Sequence, residues 1–292
     1  MNGERTFLLG LLGEHIMESL TPAMHEAEGR RQGLPLVYRA LDPVELGLAD
    51  VDWPQWLLTA RDFGYDGLNV THPAKQALMG VLDGLSDDAA LLGAVNTVTF
   101  SGGRAFGENT DHIGFSGALD ACGIDASAGN VVQIGAGGAG SAVAYALLKA
   151  GTPQVTLVDV DPSRARSLVE RLSHAFDASR LRVIPPEEAT AAVGAATGLV
   201  NCTPIGMDGV SDGSPIDLGA LHRGLWVGDA VYRPLRTTLV RAAEDLGCTA
   251  FGGAHMVVGQ AVASFGMFTG RPASREAMYQ AFLQGSGTPA PS

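Results

Sequence analysis

The stretch from Val131 to Asp159 constrains the fold most. An apolar run, Val131-Val132-Gln133-Ile134, enters Gly135-Ala136-Gly137-Gly138-Ala139-Gly140 and leads into a helical pattern, Ala142 to Lys149, with Gly151 just beyond it. Gly135 permits a tight strand-to-helix turn, Gly137 lets the backbone approach a pyrophosphate, and Gly140 lets the helix pack closely on its strand. The unpaired amides of Gly138 and Ala139 at the helix start then face the phosphates. A chain with 39 glycines produces this spacing easily by chance, so the context carries the reading. Val155 to Val158 reads as a second buried strand, and Asp159 closes it about 20 residues after the last glycine, as a dinucleotide-binding unit requires. A carboxylate at that point accepts hydrogen bonds from a ribose diol and repels a 2′-phosphate, so Asp159 favours NAD over NADP. Arg164 lies within reach of the same ribose and could tolerate a phosphate there. Asp161, followed by Pro162, reads as a helix N-cap.

At 292 residues the chain is long enough for about two domains, each with its own core. No window of about 20 residues is continuously apolar, so no membrane span is expected. The first fifteen residues read as a strand rather than a signal peptide, because no small-residue cleavage site follows their short apolar run. Three widely spaced cysteines without a C-x-x-C pair suit a reducing cytoplasm and offer no disulfide framework; neither they nor the histidines show metal-ligand spacing, so no metal is expected. The net charge of −12 and the absence of a basic run argue against nucleic acid. A small-molecule ligand remains, and the protein is expected to be a monomer or homodimer.

Strands and helices alternate along the chain, the signature of parallel α/β layers. Strands are expected near Phe7–Leu11, Leu36–Ala40, Gly67–Val70, Val95–Phe100, Val131–Ile134, Val155–Val158, Leu181–Ile184, Gly198–Asn201, Leu225–Gly228 and Thr249. Helices are expected to start near Pro22, Trp53, Pro73, Ser86 and Asp111. The polar segment Cys122–Asn130 marks the junction after the first domain, and the tail Gly285–Ser292 is low-complexity and expected to be disordered.

Further constellations carry chemistry. Ser19-Leu20-Thr21-Pro22 sets two hydroxyls before a helix, where Thr21 either caps the helix or holds a carboxylate together with Ser19. Asn69-Val70-Thr71-His72-Pro73-Ala74-Lys75 follows an apolar strand, which puts Thr71 and Lys75 at its carboxyl end, where open α/β sheets bind ligands. The macrodipole disfavours a cation in a first helical turn by roughly 0.3 to 1 kcal/mol, so Lys75 is either a solvated surface residue or placed for a purpose. Asn96-Thr97 and Asn109-Thr110-Asp111 flank predicted strand ends, and Asp111 either caps a helix or pairs with Lys75 while a hydroxyl proton moves. Asn201-Cys202-Thr203-Pro204-Ile205-Gly206-Met207 is either an ordinary turn or a loop over the cofactor. Asp229-Ala230-Val231-Tyr232 and Gly253–Gln260 supply a tyrosine and a glutamine suited to a hydroxylated ligand.

Taken in order, these segments resemble the shikimate dehydrogenase family: S-x-[ST]-P, N-V-T-x-P-x-K, G-A-x-N-T-V, G-x-N-T-D-x-x-G-F, G-A-G-G-A-G, N-C-T-P-x-G-M and D-x-V-Y-x-P span the chain from about Leu9 to Gly270. The resemblance implies two α/β domains. A substrate domain of 1–114 plus 256–292, to which the C-terminal helices return, joins a Rossmann-type NAD-binding domain of 115–255. It implies Lys75 as acid/base with Asp111 as its partner, and Ser19 and Thr21 on a carboxylate. Thr71, Asn96, Asp111, Tyr232 and Gln260 would bind ring hydroxyls. Gly135 through Gly140 with Asp159, Thr203, Ala230 and Gly253 would line the cofactor. The strand tip that in biosynthetic members usually carries Asn-Arg-Thr reads Val158-Asp159-Val160 here, and S-x-S-P is replaced by Ser19-Leu20-Thr21-Pro22. Both changes resemble the NAD-dependent quinate/shikimate dehydrogenase branch, which implies oxidation of shikimate and quinate at C3. A biosynthetic NADP enzyme, an aminoshikimate-type dehydrogenase and a non-catalytic ligand sensor on the same fold are the alternatives.

Overall fold

The structure, a computed structural model, describes residues 5–287; the last five residues of the expected disordered tail lie outside the described residues. It forms two compact units, one running to Thr110 and resuming at Gln260, the other comprising Asp111–Gly259.

The first unit contains β1 (Phe7–Leu12), α1 (Thr21–Arg31), β2 (Leu36–Leu41), α2 (Trp53–Asp62), β3 (Gly67–Val70), α3 (Ala74–Ala77), β4 (Gly84–Leu85), α4 (Asp87–Leu92), β5 (Thr97–Ser101) and β6 (Arg104–Glu108). Its six-stranded sheet has the order β2-β1-β3-β5-β6-β4. β1 pairs in parallel with β2 and β3, as alternating strands and helices predict. The layer is nevertheless mixed, because β5 runs antiparallel to both β3 and β6. The cause is a two-residue hairpin: Gly102 and Gly103 take φ of 59° and 74°, the left-handed geometry that a twisted hairpin needs and glycine adopts without strain. β3 is buried throughout, and Leu12, Leu57, Leu68, Val70, Leu78 and Val98 form the core around it. Removing such a side chain from water contributes roughly 1.5 to 3 kcal/mol. The expected helix at Pro73 is a single turn, α3, before the chain tightens over Met79–Val81.

The second unit contains α5 (Asp111–Ala121), β7 (Val131–Ile134), α6 (Gly138–Lys149), β8 (Val155–Val158), α7 (Pro162–Leu172), β9 (Leu181–Ile184), α8 (Ala189–Val193), β10 (Gly198–Asn201), β11 (Trp226–Asp229), α9 (Thr238–Asp245) and β12 (Ala250–Phe251). The polar stretch Cys122–Asn130 lies inside this unit, and the chain passes between units at Asp111 instead. The apolar face of α5 explains this: Phe115 is buried with its ring 5.9 Å from that of Phe251, and His112 meets the edge of Tyr145 at 5.0 Å. The sheet is wholly parallel in the order β12-β11-β10-β7-β8-β9, which is the doubly wound topology with its switch point between β7 and β10. Strands buried on both faces need apolar runs rather than alternation, which is why β7, β8 and β10 were legible to the residue.

α10 (Ala254–Thr269) carries the chain back into the first unit, and α11 (Arg275–Gly285) packs there on α1. Glu28, buried on α1, anchors that return by accepting from Ser274 N at 2.9 Å and Gln32 Nε2 at 2.7 Å. Hydrogen bonds from Arg31 and Gln32 hold its carboxyl below its ordinary range against the opposing effect of desolvation. Among the described residues, no helix is long and apolar enough to cross a membrane.

Candidate active site

In the first unit the topology brings four segments to one end of the sheet. β1 and β3 end there, β5 starts there because it is antiparallel, and β6 returns there. The loop after β1 carries Ser19, the turn after β3 carries Thr71 and Lys75, Asn96 precedes β5, and Thr110 follows β6.

Ser19 Oγ donates to Thr21 Oγ1 at 3.2 Å and accepts from Thr21 N at 3.3 Å. The capping reading of Thr21 does not hold: the N-cap of α1 is Leu20, and no side chain caps the helix. Thr21 sits inside the first turn, its Oγ1 accepts from Ser19 Oγ, and the two oxygens form a pair beside a helix start with Pro22 next in line. Thr71 N donates to Leu12 O at 2.9 Å, and a Cβ on Gly13 would meet Thr71 Cγ2 at 2.4 Å, so Gly13 is what lets the two strand ends approach. Lys75 is half-buried in α3, and its carbonyl accepts from Val95 N at 3.0 Å, which ties the lysine's turn to the segment that delivers Asn96.

Asn96 is held by a buried polar network. Its Oδ1 accepts from Thr110 N at 2.6 Å, Thr110 Oγ1 at 3.1 Å and Thr97 Oγ1 at 3.2 Å. Behind it, Asn69 Nδ2 donates to Thr97 Oγ1 at 3.2 Å, and Tyr38 Oη donates to Asn69 Oδ1 at 2.8 Å. Three donors on one oxygen thus fix the Asn96 side chain in a single orientation. Tyr38 stacks 4.9 Å from His25, whose Nε2 lies 3.4 Å from Ser264 Oγ. Burial pushes the Tyr38 phenol well up and lowers the His25 imidazole to about 3. His25 is therefore a neutral packed side chain. Gln260 lies on α10 in the same unit.

In the second unit the glycine turn takes the expected form. Gly135 has φ +99°, and a Cβ there would meet the Cys202 carbonyl carbon at 2.9 Å across the switch point. A Cβ on Gly140 would lie 2.2 Å from Gly135 O, whereas at Gly137 and Gly138 it would meet nothing within 4 Å. The loop is thus closed inward and open outward, the shape that a diphosphate laid on the first turn of α6 requires. Asp159 is buried at the end of β8; its Oδ2 accepts from Ala136 N at 2.7 Å and its Oδ1 from Asp161 N at 2.9 Å. Each oxygen keeps a second lone pair. Asp161 caps α7 as expected, through Ser163 N at 3.0 Å, and Arg164 lies 3.6 Å from its carboxylate on the exposed side.

Beyond the switch point, Asn201 and Asp229 at the ends of β10 and β11 organise Thr203, Ala230 and Gly253. Asn201 Oδ1 accepts from Thr203 N at 3.0 Å and Thr203 Oγ1 at 2.7 Å, while its Nδ2 donates to Asp229 Oδ1 at 3.0 Å. Ala230 N donates to Asn201 O at 2.8 Å, and a Cβ on Gly253 would lie 2.2 Å from Ala230 O. Asp229 also accepts from Val231 N at 3.0 Å and Thr237 Oγ1 at 2.7 Å. Burial raises its carboxyl to about 6 despite those three donors, and the Cys202 thiol is pushed up by burial and by this carboxylate. Asn201 and Asp229 stood in the quoted motifs without a role; polar residues closing apolar strands were the available signal. Tyr232 follows Asp229 in the same unit, and Asp111 lies in the first turn of α5.

A doubly wound parallel sheet with an outward-open glycine turn and an acid at the second strand tip defines a dinucleotide-binding unit of the oxidoreductase class. The family comparisons agree. Residues 11–98 match the shikimate dehydrogenase substrate binding domain, residues 253–281 the shikimate 5′-dehydrogenase C-terminal domain, and residues 131–209 the saccharopine dehydrogenase NADP binding domain. A shikimate dehydrogenase (NADP(+)) from Pseudarthrobacter chlorophenolicus is 47% identical over 96% of this chain and 95% of its own. A quinate/shikimate dehydrogenase (NAD(+)) from Corynebacterium efficiens is 43% identical over 95% of this chain and 98% of its own. Among solved structures, quinate dehydrogenase from Corynebacterium glutamicum in complex with NAD superposes with a TM-score of 0.92 at 40% identity, covering 96% of this chain and 99% of that one. The chain belongs to the shikimate dehydrogenase family and is a nicotinamide-dinucleotide-dependent oxidoreductase.

Proposed function

We propose that this protein is an NAD-dependent quinate/shikimate dehydrogenase that oxidises the C3 hydroxyl of shikimate and quinate. The bound dinucleotide supplies the hydride acceptor. Lys75 takes the hydroxyl proton, directly or through a water, with Asp111 as its partner, and passes it on to solvent. Ser19 and Thr21 hold the carboxylate; Thr71, Asn96, Tyr232 and Gln260 hold the remaining hydroxyls. Gly135–Gly140, Asp159, Arg164, Thr203, Ala230 and Gly253 receive the dinucleotide.

The observation that carries the preference for NAD is the carboxylate of Asp159. It is buried and fixed by Ala136 N and Asp161 N, so it cannot swing away from a 2′-phosphate, and the nearby Arg164 is already beside Asp161. A third negative group added there would be repelled by the carboxylates of Asp159 and Asp161. The competing reading, a biosynthetic NADP enzyme, draws its support from the relative at 47% identity. Initial rates with NAD or NADP against shikimate or quinate, at neutral and alkaline pH, separate the two. Activity with NAD on both substrates is expected. Activity with NADP and shikimate alone would overturn the role given to Asp159 and leave the biosynthetic reading.

A further inference from the structure

Gln133 interrupts the apolar run of β7 and has no task in the scheme above. It is fully buried, and its amide nitrogen donates to Gly135 O at 2.8 Å and to Gly140 O at 2.9 Å. Its Oε1 is buried without a partner. An unpaired buried amide oxygen carries a desolvation penalty, so for stability alone an apolar side chain of the same length would serve at least as well. An apolar side chain could not hold two carbonyls.

Those carbonyls stand at the two ends of the glycine turn. The peptide joining Gly135 to Ala136 is held from both sides, its carbonyl by Gln133 and its N–H by Asp159 Oδ2 at 2.7 Å. A trans peptide is planar with C=O and N–H pointing in opposite directions, so two opposed anchors fix its orientation completely. At the far end, the bond to Gly140 O ties the first turn of α6 to the same amide. Gly137 and Gly138, which face open space, are suspended between these two fixed points.

We propose that Gln133 is a positioning residue for the dinucleotide: it straps the two ends of the glycine turn together so that the outward N–H groups meet the diphosphate already oriented. Preorganised donors bind more tightly because no ordering cost is left to the binding step. The inference rests on the dinucleotide loop and is independent of the substrate and of the choice between NAD and NADP.

The test is calorimetric binding of ADP-ribose, which carries the diphosphate without the nicotinamide, to the native chain and to Gln133→Met, with Gln133→Leu as a second variant of different shape. Dissociation constants for ADP-ribose and for the dinucleotide are expected to rise about tenfold in both variants. The KM for the hydroxy-acid substrate at saturating dinucleotide stays at its native value, a split that a general loosening of the fold would not produce. A folded variant that binds ADP-ribose within about twofold of the native affinity would overturn the strap. Failure of both variants to fold would also overturn it, by making Gln133 a requirement of the sheet. A native chain with no affinity for ADP-ribose would remove the loop's assignment as well.

Discussion

Lys75 is distinguished by its residue type. The chain contains 17 arginines and only two lysines, Lys75 and Lys149. Lys149 has a structural account at the end of α6, where its ammonium lies 5.3 Å from the Tyr145 ring and a cation suits the helix dipole. Elsewhere this chain uses arginine for surface charge and ion pairs. A guanidinium cannot give up its proton in a protein, whereas an amine can, so the proton transfer proposed for Lys75 is one that arginine could not perform. Lys75→Arg should therefore be nearly as inactive as Lys75→Ala, each losing about three orders of magnitude or more in kcat with a modest change in dinucleotide affinity. Steady-state rates with calorimetric cofactor binding check this; an Arg variant with substantial turnover would mean that only the charge matters. At this scale the glycine turn was legible because its geometry follows from local spacing. The network behind Asn96 was not: Tyr38, Asn69, Thr97 and Thr110 come from four separate segments that only the sheet brings together. Gln133 stood in plain view as a polar residue in an apolar strand, but its partners exist only once the turn has closed.

Among the elements, the second sheet was readable, and in the first sheet β4 and β6 were not. Continuous apolar runs ended by glycine and followed by helical periodicity specify parallel βα units locally. β5 and β6 instead form a hairpin whose short strands are only partly buried, and its clearest sign was Ser101-Gly102-Gly103-Arg104 between two apolar runs. The glycines of the two sheets differ in what they do, and alanine separates the cases. At Gly103 the φ of 74° is left-handed and no atom lies within 4 Å of an added Cβ, so the cost is conformational only. Gly103→Ala should lower stability by about 1 kcal/mol and leave turnover unchanged. At Gly140 the backbone is helical and alanine is intrinsically favoured by about 1 kcal/mol, yet its Cβ would sit 2.2 Å from Gly135 O. Neither backbone segment can yield without opening the turn, so Gly140→Ala should weaken dinucleotide binding at least about tenfold. Cofactor titrations should separate the two variants, with Gly103→Ala at native affinity; equal effects on binding would contradict the assignment of the turn.

For the molecule as a whole, two buried groups should give folding a pH dependence in which opposite terms cancel. Burial lowers the His25 pKa from 6.5 to about 3. Below pH 6.5 the unfolded chain takes up a proton that the folded imidazole refuses, so His25 makes the fold less stable as pH falls, by about 1.4 kcal/mol per unit down to about 3. Burial raises the Asp229 pKa from 3.8 to about 6, and the sign reverses. Between those values the folded state holds a proton that the unfolded state has lost, so the contribution is complete below 3.8 and disappears as pH rises through about 6. In the window from about 4 to 6 the two slopes are equal in size and opposite, so these two contributions to native stability cancel. Removing one group exposes the other. His25→Leu should give a protein whose stability falls as pH rises across the window, and Asp229→Asn one whose stability rises. Each slope should total about 3 kcal/mol at most, a change of several degrees in Tm for a chain of this size. Because His25 belongs to the first unit and Asp229 to the second, a chain that unfolds in two transitions should show them moving apart with pH even in the native protein. Identical pH slopes in the native chain and both variants would mean that neither group titrates differently on folding, and that the burial of these two side chains does not govern the acid response.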